Sequence, residues 1–505
     1  MPITAFAAPH HARWPTDGGN HLIVGPPQSG KTTAAINAFV DYVSRHGPHR
    51  AVFLTPTRQQ AARLRSVITN KFGGTTGHML VRTPASLAFG VLRDAAVQQG
   101  KPSPTLITGP EQDHILSELI AGHLQDGVGP QWPSDITPDV LSMRAFRDEL
   151  RDLLMRAAEA GLDGEQLTRL GNQQNRPEWV AAGEILTEYT LVTLLGQATP
   201  DRGARYDAAT IVDQAVAHLH AHPDAAAFDV VVHDDYQDAT LATSRLLTVL
   251  DHQGAQVLLA SNPDTGVQGF RGGLPALTRT ATLPLGSQEG ALGAQAHVLS
   301  TVWMGPGVWN RVEPLTSDLP PLVGAARRHV TTVQGPTRWV EPVETVMLGS
   351  PHSEAAFIAH RLRQLHLVEG WAWSDMAVIV RSHHHAIRLR RALVNAQVPI
   401  EMEGVDLPLR DQAVVRAMLT CVEAATQGDG PTPEQVTEVL MSRFGLIDAI
   451  TLRRIRRALR HHDPSRSSAE MLVGAIKDPE LRAVAGDHPG FDRVAAMFRQ
   501  ARQAV

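Results

Sequence analysis

The sequence predicts an α/β fold: a parallel-sheet domain built around a phosphate-binding loop, interrupted by a helical insertion and followed by further α/β and helical sequence. Three observations predict it. An apolar run, His21-Leu22-Ile23-Val24, leads straight into Gly25-Pro26-Pro27-Gln28-Ser29-Gly30-Lys31-Thr32-Thr33, and Ala34 to Phe39 then read as a helix. Short apolar runs alternate with helical patterns around residues 50, 81, 228 and 255. Between about Gly90 and Tyr206 the pattern is wholly helical.

The first element carries the clearest chemistry. G-x-x-x-x-G-K-T between a strand and a helix is a P-loop in its proper setting. Gly25 and Gly30 let the backbone turn tightly, so that successive N–H groups and the helix N-terminus face an anion. The whole loop, Gly25, Pro26, Pro27, Gln28, Ser29, Gly30, Lys31, Thr32 and Thr33, is therefore the candidate nucleotide site. Lys31 would reach the β- and γ-phosphates of a nucleoside triphosphate, and Thr32 would ligate Mg²⁺.

Next, Arg50 to Thr55 is a short buried strand ending in Pro56-Thr57-Arg58, followed by a helix from Gln59 to Ile68. Val81-Arg82-Thr83 gives another strand-to-helix junction. The helical stretch offers Glu111 to Gln125, Met143 to Ala160 and Pro177 to Leu195, with Pro/Gly-rich breaks between them. The alternation resumes with Phe228 to His233, a strand ending in Asp234-Asp235-Tyr236-Gln237-Asp238. A P-loop protein needs an acid at the tip of a neighbouring strand, which makes Asp234 the Mg²⁺-side carboxylate and Asp235 the candidate base. A last strand, Ala255 to Ala260, leads to Asn262-Pro263-Asp264 and Gly269-Phe270-Arg271-Gly272.

Composition sets the outer limits. A chain of 505 residues with 43% hydrophobic and 19% charged residues has room for three or four globular domains. No apolar run approaches the roughly 18 residues of a membrane helix, and Met1 to Trp14 lacks the pattern of a signal peptide. The single cysteine, Cys421, lies in an apolar helical run, which excludes an intrachain disulfide and fits a reducing, cytoplasmic setting. Net charge is −5, so any nucleic-acid surface has to be local. The adjacent histidines His383 to His385 lack the spacing of metal ligands. The arginines of Thr451 to His461 read as a solvated helix face.

The order of these motifs resembles the UvrD/Rep/PcrA type of superfamily-one DNA helicase, and more narrowly the helicase subunit of actinobacterial AdnAB-type helicase–nucleases. Thr55 to Arg58 with Ala61 to Leu64 looks like motif Ia, and Thr83 with Ser86-Leu87 like motif Ib. Asp234 to Asp238 is similar to the family's D-E-x-Q-D, and Asn262 to Gly272 to its motif III. The resemblance implies a RecA-like domain 1A over residues 1–90 and 207–280 and a helical insertion 1B over 91–206. A partial RecA-like domain 2A over 281–430 and a helical 2B-like region over 431–505 would follow. Within 2A, Val343 to Leu348 and Met376 to Ser382 are expected as strands, with Leu407 to Val422 continuing the domain.

It further implies ATP with Mg²⁺ as ligands, single-stranded or duplex-end DNA as partner, and a second helicase–nuclease chain beside it in recombination or repair. Thr57, Arg58 and Thr83 would track the DNA backbone, while Phe270 with Arg271 would face the bases. The chain departs from the family at several points. Leu283 to Gln288, the stretch best placed for motif IV, has neither its tyrosine nor its arginine. Thr265 stands where motif III has glutamine, Asp235 replaces a glutamate, no upstream glutamine motif is found, and motifs V and VI do not occur up to Val505. An arginine on the phosphoryl transition state is worth ~10³–10⁵ in rate, and a base set back by about 1 Å costs on the order of 10². Two expectations follow: a DNA helicase subunit driven by ATP, or a degenerate subunit that binds nucleotide and DNA and serves a partner motor.

Overall fold

A computed structural model describes residues 6, 9–72, 79–195, 204–207, 209–225, 227–317, 330–335, 344–401, 413–427, 430–486 and 488–504. The chain divides into two compact units, Met1–Thr345 and Val346–Val505.

In the first unit β1 (His21–Val24) feeds α1 (Lys31–His46), β2 (Ala51–Leu54) feeds α2 (Arg58–Phe72), and β3 (Val81–Arg82) feeds α3 (Pro84–Gln98). The insertion lies between two short strands, β4 (Thr105–Leu106) and β5 (Arg205–Tyr206). Its helices are α4 (Gly109–Asp126), α5 (Pro138–Ser142), α6 (Arg144–Glu159), α7 (Gly164–Gln173) and α8 (Pro177–Leu195). Then come α9 (Ile211–Ala221), β6 (Val230–His233), α10 (Leu241–His252), β7 (Gln256–Ser261), α11 (Leu277–Thr280), β8 (Gln295–Val298), β9 (Thr301–Val302), α12 (Pro306–Ser317) and β10 (Thr332–Val333).

The main sheet is parallel, in the order β3-β2-β6-β7-β1-β8. Period-two alternation covers both of its faces. Leu22, Val24, Leu54, Val231 and Leu259 pack with α3, α9 and α10 on one side. Ile23, Phe53, Val232 and Leu258 pack with α1 and α2 on the other. The chain thus leaves β1 toward one face and β6 and β7 toward the opposite one. In open parallel sheets, ligands bind at such a reversal, beyond the strand C-termini.

The insertion has its own core, with Leu116, Leu150, Leu154 and Ile185 at its centre. Local sequence starts its helices: Thr108 with Glu111 and Asp163 with Gln166 form capping boxes on α4 and α7. Its base is pinned where β4 pairs with β5. There the buried Asp207 carboxylate accepts from Gln112 Nε2 at 2.5 Å and Tyr189 Oη at 2.8 Å. The stretch expected to be wholly helical therefore contains two strands at its neck, because two passing chains satisfy each other's backbone groups by pairing.

The second unit contains α13 (Pro351–Leu367), α14 (His383–Asn395), α15 (Ala413–Thr426), α16 (Pro433–Met441), α17 (Ala449–His462), α18 (Ser468–Lys477), α19 (Pro479–Val484) and α20 (Pro489–Ala504). Its larger core gathers Cys421, Val436, Leu459, Leu472, Phe491 and Phe498. Cys421 is buried, and burial pushes its thiol up to about 11. On α17, Leu452, Ile455 and Leu459 face inward while Arg453, Arg454, Arg457 and Arg460 are exposed.

Two expectations are corrected. The first sheet does not end at residue 280, since β8 pairs with β1 from His21 with Gln295 to Val24 with Val298. Residues 376–382, expected as a strand, join no sheet among the described residues. Val380 packs toward α13 and α14 while Ala377, Val378 and Ile379 are exposed, Ile379 at 95%, and among the described residues no neighbouring strand meets their backbone. The strand expected from Val343 and the segment from Leu407 begin outside the described residues, and 344–348 carry neither helix nor strand. No helix among the described residues is long and apolar enough to cross a membrane.

Backbone contact within the insertion gives a direct test. A Cβ on Gly183 would stand 2.6 Å from the carbonyl oxygen of Gly164 and 2.3 Å from Thr168 Oγ1, so α7 and α8 meet only because both positions lack side chains. Gly183→Ala is expected to lower stability by about 1–3 kcal/mol through this overpacking. The shift in the urea unfolding midpoint against wild type measures it.

Candidate functional site

The loop after β1 is shaped by contacts that exclude side chains. A Cβ on Gly25 would lie 2.3 Å from Ser29 Oγ and 3.2 Å from Leu299 Cβ. Gly30 sits at φ +89°, with Pro9 of the N-terminal segment 2.9 Å from where its Cβ would be. Pro9 O accepts from Asn37 Nδ2 at 2.8 Å, and Trp303 N donates to Gln28 O at 3.0 Å. The loop is thus held from both sides. Ser29 is buried, and its Oγ has no hydrogen-bond partner among the described residues.

Three side chains converge at its mouth. Lys31 Nζ donates to Pro26 O at 2.9 Å, within its own loop. Thr32 Oγ1 donates to Asp234 Oδ1 at 3.1 Å, across the tip of β7. Burial lowers Lys31 to about 8, although Asp234 and Asp235 oppose the shift. Burial, with repulsion from Asp235, raises Asp234 to about 7, against the Thr32 hydrogen bond and Lys31. Desolvation dominates at both groups, so each lacks the counter-charge it would need in this dry setting. The charged form of each is stabilised by a ligand that brings an anion to the lysine and a cation to the aspartate.

Asp235 sits at φ +50°, in the left-handed region. Gln60 Nε2 donates to its Oδ2 at 2.7 Å and Gln237 Nε2 to its Oδ1 at 3.0 Å. Gln237 is anchored in turn, its Oε1 accepting from Asn262 N at 2.9 Å. Thr57 Oγ1 donates to Gln60 Oε1 at 2.9 Å. Sequence reasoning passed over Gln60 and the segment around Pro9. Gln60 stands 175 residues from Asp235, and its only sequence signal is that it follows the Pro-Thr-Arg turn by two positions.

The residues expected on a nucleic-acid track are arranged unevenly. Thr57 and Arg58 open α2, and Thr83 caps α3, at the C-terminal ends of the adjacent strands β2 and β3. Arg58 is exposed. Thr83 is only 8% exposed, and its side-chain oxygen accepts from Ser86 N at 3.2 Å. Its oxygen therefore caps the helix end, and the side chain is largely covered. Arg271 is exposed in a separate turn after β7, which Asp238 pins by accepting from Val267 N and Gln268 N. The Phe270 side chain lies outside the described residues.

That turn also rests on the insertion. A Cβ on Gly272 would meet Glu159 Oε2 of α6 at 2.3 Å. Burial pushes Glu159 up to about 7, outweighing its ion pair with Arg156, and Asp207 and Asp213 push the same way. Leu283 to Gln288 form turns between α11 and β8 in the first unit, and Gln288 Nε2 donates to Thr280 Oγ1 at 3.3 Å. Thr265 Oγ1 donates back to Asn262 O at 3.0 Å.

Among known families, the model described as the UvrD/REP helicase N-terminal domain matches residues 10–282. That span takes in the P-loop, α2, the whole insertion, the acidic tip of β6 and the turn that carries Arg271. No curated protein matches the chain.

Two outcomes test this geometry. Gly30→Ala, strained at positive φ and pressed on Pro9, is expected to weaken binding of a fluorescent nucleoside triphosphate about 10-fold or more in titrations, in line with a strain of ~1–3 kcal/mol. For Glu159 the folded-state pKa is raised, so its contribution is fully present below about pH 4.5 and is lost as pH rises through about 7. Wild type is therefore expected to lose stability relative to Glu159→Gln over that range, read as the gap between their urea midpoints.

Proposed function

The chain belongs to the UvrD/REP helicase family, and on that premise we propose that its first unit binds Mg²⁺-ATP and single-stranded DNA and couples ATP hydrolysis to movement along the strand. The observation that carries this reading is the meeting of Lys31, Thr32 and Asp234 at one sheet edge, with Asp235 beside them. The residues fit the ligand pair: a glycine-shaped cradle, a half-buried lysine short of an anion, and a hydroxyl and carboxylate short of a cation. The loop Gly25 to Thr33 would hold the phosphates, with Thr32 and Asp234 on the metal. Bound Mg²⁺ supplies charge neutralisation on the β- and γ-phosphates. Lys31 orients the γ-phosphate, and Asp235 orients the attacking water and receives its proton.

For the strand, Arg58 and the backbone N–H groups opening α2 and α3 are the phosphate contacts, with the Thr57 hydroxyl already engaged by Gln60 and Thr83 largely covered at its helix cap. Phe270 and Arg271 are assigned to the bases. The finer assignment follows from the motif resemblance: a role in recombination or repair, beside a second helicase–nuclease chain of the AdnAB type. A second reading, a subunit that binds both ligands with little turnover of its own, draws on Thr265. Its hydroxyl is tied to its own loop where a phosphate-sensing glutamine is expected.

Hydrolysis of ATP by the purified chain, with and without oligo(dT) and against Lys31→Ala, separates the readings. DNA-stimulated turnover that vanishes in the variant supports the motor. Binding of both ligands without turnover supports the second reading, and loss of both kinds of binding overturns the proposal.

A further inference from the structure

We infer that Gln60 is a positioning residue, through which the loop opening α2 sets the orientation of the Asp235 carboxylate and links strand occupancy to turnover. The inference rests on the functional reading above and adds a regulatory connection to it. Three contacts carry it. Gln60 Nε2 reaches Asp235 Oδ2 at 2.7 Å. Its Oε1 accepts from Thr57 Oγ1 at 2.9 Å, and its backbone N–H donates to the same hydroxyl at 3.2 Å. The side-chain amide is therefore held at both ends. One end is on the candidate base and the other on the residue next to Arg58, at the mouth of the proposed strand track.

An amide suits this task. It donates to a carboxylate without adding charge, so it directs Asp235 while leaving lone pairs free to accept a proton. Gln237 grips the other oxygen at 3.0 Å but is anchored to the tip of β7, away from α2. Of the two amide donors on Asp235, Gln60 is the one that moves with the Thr57–Arg58 turn. A phosphate drawn to Arg58 and the α2 N-terminus shifts that turn, and Gln60 passes the shift to the carboxylate. Because neither Lys31 nor Thr32 contacts Gln60 among the described hydrogen bonds, the effect falls on the rate and leaves nucleotide affinity alone.

Steady-state ATP hydrolysis with and without oligo(dT), by wild type, Gln60→Ala and Gln60→Met, tests this. Gln60→Met keeps the size and removes the donor without adding charge, which keeps the test valid if the alanine variant folds poorly. The expected result is a kcat about 10- to 100-fold lower, with KM for ATP and oligo(dT) affinity within about twofold of wild type, and a DNA-stimulation ratio near one. Stimulated wild type with both variants equally stimulated overturns the inference and leaves the functional reading standing. So does a rise in KM with kcat unchanged, which marks Gln60 as a binding residue. Wild type that hydrolyses ATP without any response to DNA, or not at all, overturns the inference together with the motor reading.

Discussion

The site depends on one constraint, the registered parallel pairing that carries β1 and β6 to the same edge on either side of β7. β1 delivers the P-loop and β6 delivers Asp234 and Asp235. With β7 as the spacer between them, Thr32 reaches Asp234 at 3.1 Å. A slip of one residue in β6 would turn Asp234 to the opposite face and move His233 into its place. Both faces of the sheet are apolar and covered, so the register is specified by packing far from the chemistry. The consequence is electrostatic. Lys31 and Asp234 are held where water is scarce, and burial lowers one and raises the other. On the proposed reading, a polyphosphate and a divalent cation would relieve this frustration.

The insertion is joined to this edge by more than its two connecting chains. Its neck is closed by β4, β5 and the Asp207 network, and its α6 touches the turn carrying Arg271 through Glu159 and Gly272. Gly272 allows the approach because any Cβ there would collide with the carboxylate. The turn is thus clamped between Asp238 on the sheet side and α6 on the insertion side.

What was legible in the sequence was local. The P-loop is a contiguous run whose glycines, lysine and threonine each answer to a nearby demand, and the helix expected from Pro177 begins there because a proline starts it and apolar residues fill it. The covered strands were legible as short apolar runs. β8 was not, because Gln295-Ala296-His297-Val298 is an edge strand with a single buried side chain, and its pairing with β1 is decided by tertiary context. Residues 376–382 misled in the opposite sense, since a short apolar run says nothing of whether its backbone finds a partner, and among the described residues it finds none. Thr83 read as a ligand contact, yet the same residue type at the same turn serves equally well as a helix cap. The Gln60–Asp235 contact could not be read at all, because it joins two segments that only the sheet brings together.

The aspartate at position 235 is where sequence and geometry pull in different directions. Set against a glutamate, it is one methylene shorter and sets the carboxylate back, which argues for weak catalysis. The shorter side chain also has one rotor fewer to fix, and its backbone at φ +50° places it in a conformation that aspartate tolerates better than most residues. Both oxygens are then held by amides anchored in different parts of the sheet edge. Reach is lost, while orientation is tightened. General base catalysis needs both, and orientation is the part that a neighbouring loop can modulate. On the proposed reading, an aspartate gripped in this way would be a base whose efficiency depends on its surroundings, and strand occupancy would act on turnover through that dependence.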